Sequence, residues 1–153
     1  MGDSIESSAA PPVGGGAERA EVPGRMIRAY AALVGIVLVA VGLLGFISNP
    51  IVGDGNALFL TGTMHNIVHL VTGALALGIA FVLPADQQVN GVFALGILYA
   101  VIFVALIVSP NLFGILSYNV NAADQLLHIG LAIVSVGIAW IARSGKYSTT
   151  ATA

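Results

Sequence analysis

MHNIVHLVTGALALGIAFVL, Met64–Leu83, is a twenty-residue apolar stretch whose polar side chains, Thr72 apart, all stand in its first six positions. A helix rises 1.5 Å per residue, so a run of this length spans about 30 Å, the thickness of the hydrocarbon core of a bilayer. Three further runs of similar length flank it. AYAALVGIVLVAVGLLGFI (Ala29–Ile47) precedes it, and VFALGILYAVIFVALIVS (Val92–Ser109) and QLLHIGLAIVSVGIAWIA (Gln125–Ala142) follow. Turn chemistry separates them: Ser48-Asn49-Pro50 and Gly53-Asp54-Gly55-Asn56 after the first, Pro84-Ala85-Asp86 and Asn90-Gly91 after the second, and Ser109-Pro110-Asn111 after the third. No amphipathic surface helix lies between them, and the short-strand alternation of a transmembrane barrel is absent. The reading is an all-α, integral membrane bundle of four transmembrane helices.

Composition agrees. The chain has 153 residues, of which 58% are hydrophobic and 8% charged, against about 25% charged in an ordinary soluble domain. So few charges cannot cover the surface that a chain of this size would expose to water. The net charge of −2 and the lack of a basic cluster exclude a nucleic-acid partner. With no cysteine, thiolate sites and disulfides are excluded. The Gly, Pro, Ala, Ser and Glu of residues 1–24 predict a disordered tail, residues 25–143 form the membrane domain, and residues 144–153 form a polar tail.

The basic residues set the orientation. Arg19, Arg25 and Arg28 precede the first helix, Arg143 and Lys146 follow the last, and no Lys or Arg lies between. Four crossings return the chain to its starting side. The positive-inside rule then places both termini in the cytoplasm and the loops at 48–63 and 110–124 outside. Tyr30, Tyr118, Trp140 and Tyr147 fall near the expected interfaces. Gly35 and Gly42 in the first helix, and Gly130 and Gly137 in the fourth, share a face within each pair and predict close helix approach, within the chain or in a homo-oligomer or membrane-protein complex.

The polar residues concentrate at two helix starts. His65-Asn66-x-x-His69 opens the second helix and Asp124-Gln125-x-x-His128 the fourth, and the two align without a gap. The second helical hairpin therefore reads as a weak copy of the first, in tandem and parallel. Both starts are expected on the outer side, with His69 and His128 at nearly the same depth, about one helical turn below His65 and Asp124. Three readings follow. Asn66, Asn121, Gln125 and the histidines can bond across helices and cap them, with Asp124 among the first-turn acceptors, as a structural polar cluster. His65, His69, Asp124 and His128 can ligate zinc, or the histidines a haem iron. A histidine beside a carboxylate can also handle protons or a small solute. Helices one and three show almost no polar groups for a full transport path. No nucleophile elbow, phosphate loop, dinucleotide fingerprint or His-Glu-x-x-His motif is present, so no catalytic residue is assigned.

MHNIVHLVTGALAL and NAADQLLHIGLAIVS, with GFISNPIVG, resemble the bacterial membrane family known as domain of unknown function 4383 (DUF4383) over residues 25–143. The resemblance implies a four-helix protein of the bacterial inner membrane, and brings forward His65, Asn66, His69, Asn121, Asp124 and His128 as its distinctive positions. It implies no activity and no cofactor. The expectation is a non-enzymatic membrane protein with a structural or accessory role.

Overall fold

The computed structural model describes residues 15–147, with side chains for 24–144. In chain order the elements are α1 (Gly15–Leu44), β1 (Val52–Gly53), β2 (Phe59–Leu60), α2 (Thr63–Phe81), α3 (Ala85–Val108) and α4 (Ala122–Tyr147). Four segments are long and apolar enough to cross a bilayer: Gly24–Leu44, Thr63–Phe81, Ala85–Val108 and Ala122–Ser144. The backbone at 15–23 continues α1 toward the N-terminus. The rest of the expected N-terminal tail, and residues 148–153, lie outside the described residues.

The surface of the bundle is apolar. Leu33, Val71, Val101 and Ile133 are each more than half exposed. Inside, small residues stand among larger ones: Ala31, Ala76, Ala80, Ala139 and Ala142 are at most 1% exposed. In lipid the hydrophobic effect does not draw helices together, so close packing through small side chains takes its place. The fold is thus a four-helix membrane bundle, as the apolar runs predict.

Two antiparallel hairpins make up the bundle. In the first, α1 and α2 meet through glycine. A Cβ added at Gly35 would lie 2.9 Å from the Gly73 carbonyl oxygen, and one at Gly42 would lie 2.9 Å from that of Asn66. In the second, a Cβ at Gly96 of α3 would come 2.9 Å from Ser135 Cβ of α4. The expected seam at Gly35 and Gly42 is therefore present. Gly130 and Gly137 differ, since nothing lies within 4 Å of a Cβ at either. They mark no contact within the described chain.

The connection between α2 and α3 is shorter than the turn residues suggest. Asn90 and Gly91 lie inside α3, which begins directly after Pro84. Pro84 sets φ at −56°, suited to a helix start. Gln88 Nε2 then donates to the carbonyls of Ala80 (3.2 Å) and Leu83 (3.1 Å), satisfying the end of α2. Gly91 leaves room for Ile79 and Leu83. Asn-Gly here provides close approach instead of a turn.

At the opposite end the 48–63 connection holds a parallel two-stranded ribbon, Val52 opposite Phe59 and Gly53 opposite Leu60. Asn49 organises its entry. Its Oδ1 accepts from the amides of Ile51 and Val52, both at 2.9 Å, and its Nδ2 donates to the Leu44 and Val52 carbonyls at 2.9 and 2.8 Å.

Candidate functional site

At the ribbon end, histidine side chains from the first turns of α2 and α4 reach toward one another across the bundle. His65 and His69 are four residues apart and share a helix face. Their rings stack with centroids 4.6 Å apart and planes 24° apart. His128 brings a third ring, 6.0 Å from His65 and 6.3 Å from His69. Tyr99 of α3 closes the group, 5.8 Å from His128. All four side chains are buried.

Asp124 and Asn121 form a reciprocal cap at the start of α4. The Asn121 amide donates to Asp124 Oδ2 at 3.1 Å, and the Asp124 amide donates to Asn121 Oδ1 at 3.0 Å. Each side chain thereby satisfies a backbone donor that the helix leaves free. Asn121 Nδ2 also donates to the Leu58 carbonyl at 2.8 Å, tying the 48–63 connection to the start of α4. The Asp124 carbonyl accepts from His128 Nδ1 at 2.6 Å. A carbonyl can only accept, so Nδ1 carries the proton of that ring.

Other polar atoms of the group lack such partners. Thr61 Oγ1, His65 Nε2, Asn66 Oδ1, His69 Nδ1 and Gln125 Oε1 are buried with no hydrogen-bonding partner in the protein. Leaving one buried polar group unpaired costs about 1–3 kcal/mol. Thr61 and Asn66 also line a cavity of about 330 Å³ at the ribbon end, together with Asp54, Ser117 and Tyr118. Gly45 makes space for Asn66, because a Cβ there would overlap the Asn66 amide.

The arrangement does not form a metal centre. No group of three or more His, Asp or Glu side chains among the described residues is placed to hold a metal ion. The physical reason lies in the stacking. Imidazole lone pairs lie in the ring plane, and His65 lies face-on to both His69 and His128. Asp124 is meanwhile occupied as a cap. Among the described residues no cluster thus supports the metal- or haem-binding reading.

The structure also adds residues that the motifs passed over. Tyr99 Oη donates to Thr72 Oγ1 at 3.0 Å, while Thr72 Oγ1 donates to the Val68 carbonyl at 2.8 Å. Tyr30 shares a 2.7 Å hydrogen bond with Ser135 Oγ. A tyrosine in the middle of an apolar run, as at Tyr99, was the available signal, since a buried phenol needs a partner.

Basic residues gather at the other end. Arg28 lies over the Phe81 ring, 5.3 Å from its centroid, and Arg143 over Phe93 at 4.3 Å. Arg143 Nη2 also donates to Asn90 Oδ1 at 2.9 Å.

No curated protein and no solved structure matches the chain. The family model described as domain of unknown function (DUF4383) matches residues 28–141, and the chain belongs to that family of bacterial membrane proteins of unknown function.

Proposed function

We propose that this is a non-enzymatic accessory protein of the bacterial inner membrane that binds a small polar guest, water or a small solute, in the outer half of its bundle. The carrying observation is the set of buried, unpartnered polar atoms around His65, Asn66 and His69, next to a cavity that Thr61 and Asn66 line. A purely structural cluster would pair these atoms internally, as Asn121 and Asp124 do. Buried polar atoms of this kind are ordinarily satisfied by a bound water or ligand.

Binding is favoured over conduction by the other half of the bundle. Ile27, Ala31, Ala80, Val92, Ala139 and Ala142, from all four helices, pack there at no more than 1% exposure. This apolar plug, with the Tyr30–Ser135 hydrogen bond closed on itself beside it, argues against a continuous polar route for a proton or solute. Both termini are assigned to the cytoplasm, supported by the basic residues at the plug end and the positive-inside rule. The tails at 1–24 and 144–153 are then cytoplasmic.

Protein in lipid nanodiscs, with histidine ring nitrogens labelled for NMR, tests the reading. Magnetisation transfer from water to the His65 and His69 nitrogens is expected, with no proton flux above protein-free liposomes. Dry histidine nitrogens would refute guest binding, and flux that His69→Phe abolishes would replace binding by conduction. A cysteine introduced at Gly55 should react with an impermeant reagent from outside the cell. Reaction from the cytoplasm alone would reverse the topology.

A further inference from the structure

The connection between α3 and α4 has the composition of a membrane segment. No charged residue and no histidine lies between Asp86 and Asp124, and the connection carries the apolar run Leu112-Phe113-Gly114-Ile115-Leu116. Part of this run folds back onto α3. Leu116 is buried in a small cluster with Val120 and with Leu106 of α3, and Leu112 and Ile102 pack against that cluster. Ile102 and Leu106 belong to the apolar span Ala85–Val108. The turn is thus held beside residues that lie within the bilayer. Phe113 and Ile115 are left outside the cluster, 75% and 56% exposed. They continue an apolar surface that α3 presents to lipid through Val104, Ile107 and Val108, at 57%, 60% and 68% exposure.

The backbone of the run needs no water for its donors. The Leu112 amide donates to the Ser109 carbonyl and the Phe113 amide to Ser109 Oγ, both at 2.8 Å. The Gly114 amide donates to the carbonyl and to Oδ1 of Asn111, both at 3.2 Å. The Ile115 amide donates to the Leu112 carbonyl at 3.2 Å and the Leu116 amide to the Asn111 carbonyl at 2.9 Å. Five consecutive amides are therefore satisfied inside the turn, which is what apolar surroundings demand of a backbone. The turn is also strained. Leu112 and Phe113 have φ of +51° and +59°, a region disfavoured for residues with a Cβ. An ordinary aqueous turn would place Gly or Asn there. Such strain persists only where packing and hydrogen bonds impose it.

We infer that the 110–116 turn is seated in lipid, with Phe113 and Ile115 entering the acyl region just below the headgroups of the leaflet at the ribbon end. The exposed Ser117, Tyr118 and Asn119 that follow return the chain to the headgroup level. The partner of this surface is the bilayer itself, and the seat does not depend on the guest in the outer half of the bundle.

The chain has no cysteine, so one spin label reports one position. Phe113→Cys and Ile115→Cys, labelled in the full chain in phosphatidylcholine–phosphatidylglycerol nanodiscs, are compared with Val104→Cys on α3 and Asn56→Cys in the 48–63 connection. Power-saturation EPR measures collision with oxygen, which concentrates in lipid, and with a nickel chelate, which stays in water. The oxygen-to-nickel ratio at 113 and 115 should lie several-fold above that at 56 and approach that at 104. A ratio equal to that at 56 would overturn the seat. Low collision with both reagents at 113 would also overturn it, since a second copy of the chain would then cover the turn. Phe113→Trp in a Trp140→Phe background gives a reading without the label. Its fluorescence should be quenched by brominated phospholipid and protected from aqueous acrylamide, and the reverse pattern would refute insertion.

Discussion

Gly73→Ala is the most informative single perturbation of the bundle. A Cβ at residue 73 would sit 2.8 Å from Val39 Cγ2, 2.9 Å from Val39 N and 3.0 Å from Gly35 O. Ordinary carbon contacts lie near 3.5–4.0 Å, and two of these three neighbours are backbone atoms that cannot rotate away. The helices α1 and α2 must therefore separate by roughly 0.5–1 Å, which forfeits a quarter to a half of each dispersion contact along the seam. Overpacking of this kind costs about 1–3 kcal/mol. Alanine also returns helix propensity of about 1 kcal/mol relative to glycine, and this gain obscures a single measurement. Gly137→Ala removes the ambiguity, because nothing lies within 4 Å of a Cβ there and the same propensity gain applies. The difference between the two variants isolates the clash. Steric-trapping measurements of unfolding in bicelles should find G73A less stable than G137A by about 1–3 kcal/mol, roughly 5- to 150-fold in the unfolding equilibrium. Equal stability of the two would refute the claim that backbone contact between α1 and α2 holds the first hairpin.

Three further outcomes follow from the polar contacts. Thr72→Val removes the acceptor of the Tyr99 hydroxyl, which is buried, and should destabilise by about 1–3 kcal/mol. Adding Tyr99→Phe should recover most of that loss in the same unfolding assay, and failure to recover would show that the hydroxyl was not the cause. Asn121→Ala removes the cap of α4 and its tie to Leu58, and should cost about 1–2 kcal/mol. Hydrogen exchange should accelerate at the first turn of α4 and around residues 58–61, and faster exchange at α4 alone would mean the tie carries no load. Gly45→Ala drives a methyl into the Asn66 amide. It should shift the Asn66 side-chain NMR signals and lower stability by about 1–3 kcal/mol, whereas an unmoved Asn66 would contradict the packing described.

Much of this was readable in the residues alone. Four apolar runs of bilayer length determined four helices, because backbone polar groups in lipid must be satisfied within a helix or a closed barrel. The interval without Lys or Arg singled out one end for the basic residues. The matching spacing of His65/His69 and Asp124/His128 placed their side chains on one face of each helix start. What spacing could not express was where each side chain finds its partner. Asn90-Gly91 has the composition of a turn and lies in α3, because Gln88 and Pro84 complete the reversal earlier. Gly35 and Gly137 look alike in sequence, yet one touches backbone and the other open space. The histidines were candidate metal ligands by residue type, but ligation depends on the directions of lone pairs, and His65 and His69, one turn apart on α2, stack their rings on each other. Tyr99 and Tyr30 gained their roles from neighbours 27 and 105 residues away. Local periodicity determined the helices and their membrane setting; only the tertiary packing decided which polar atoms were paired and which were left open.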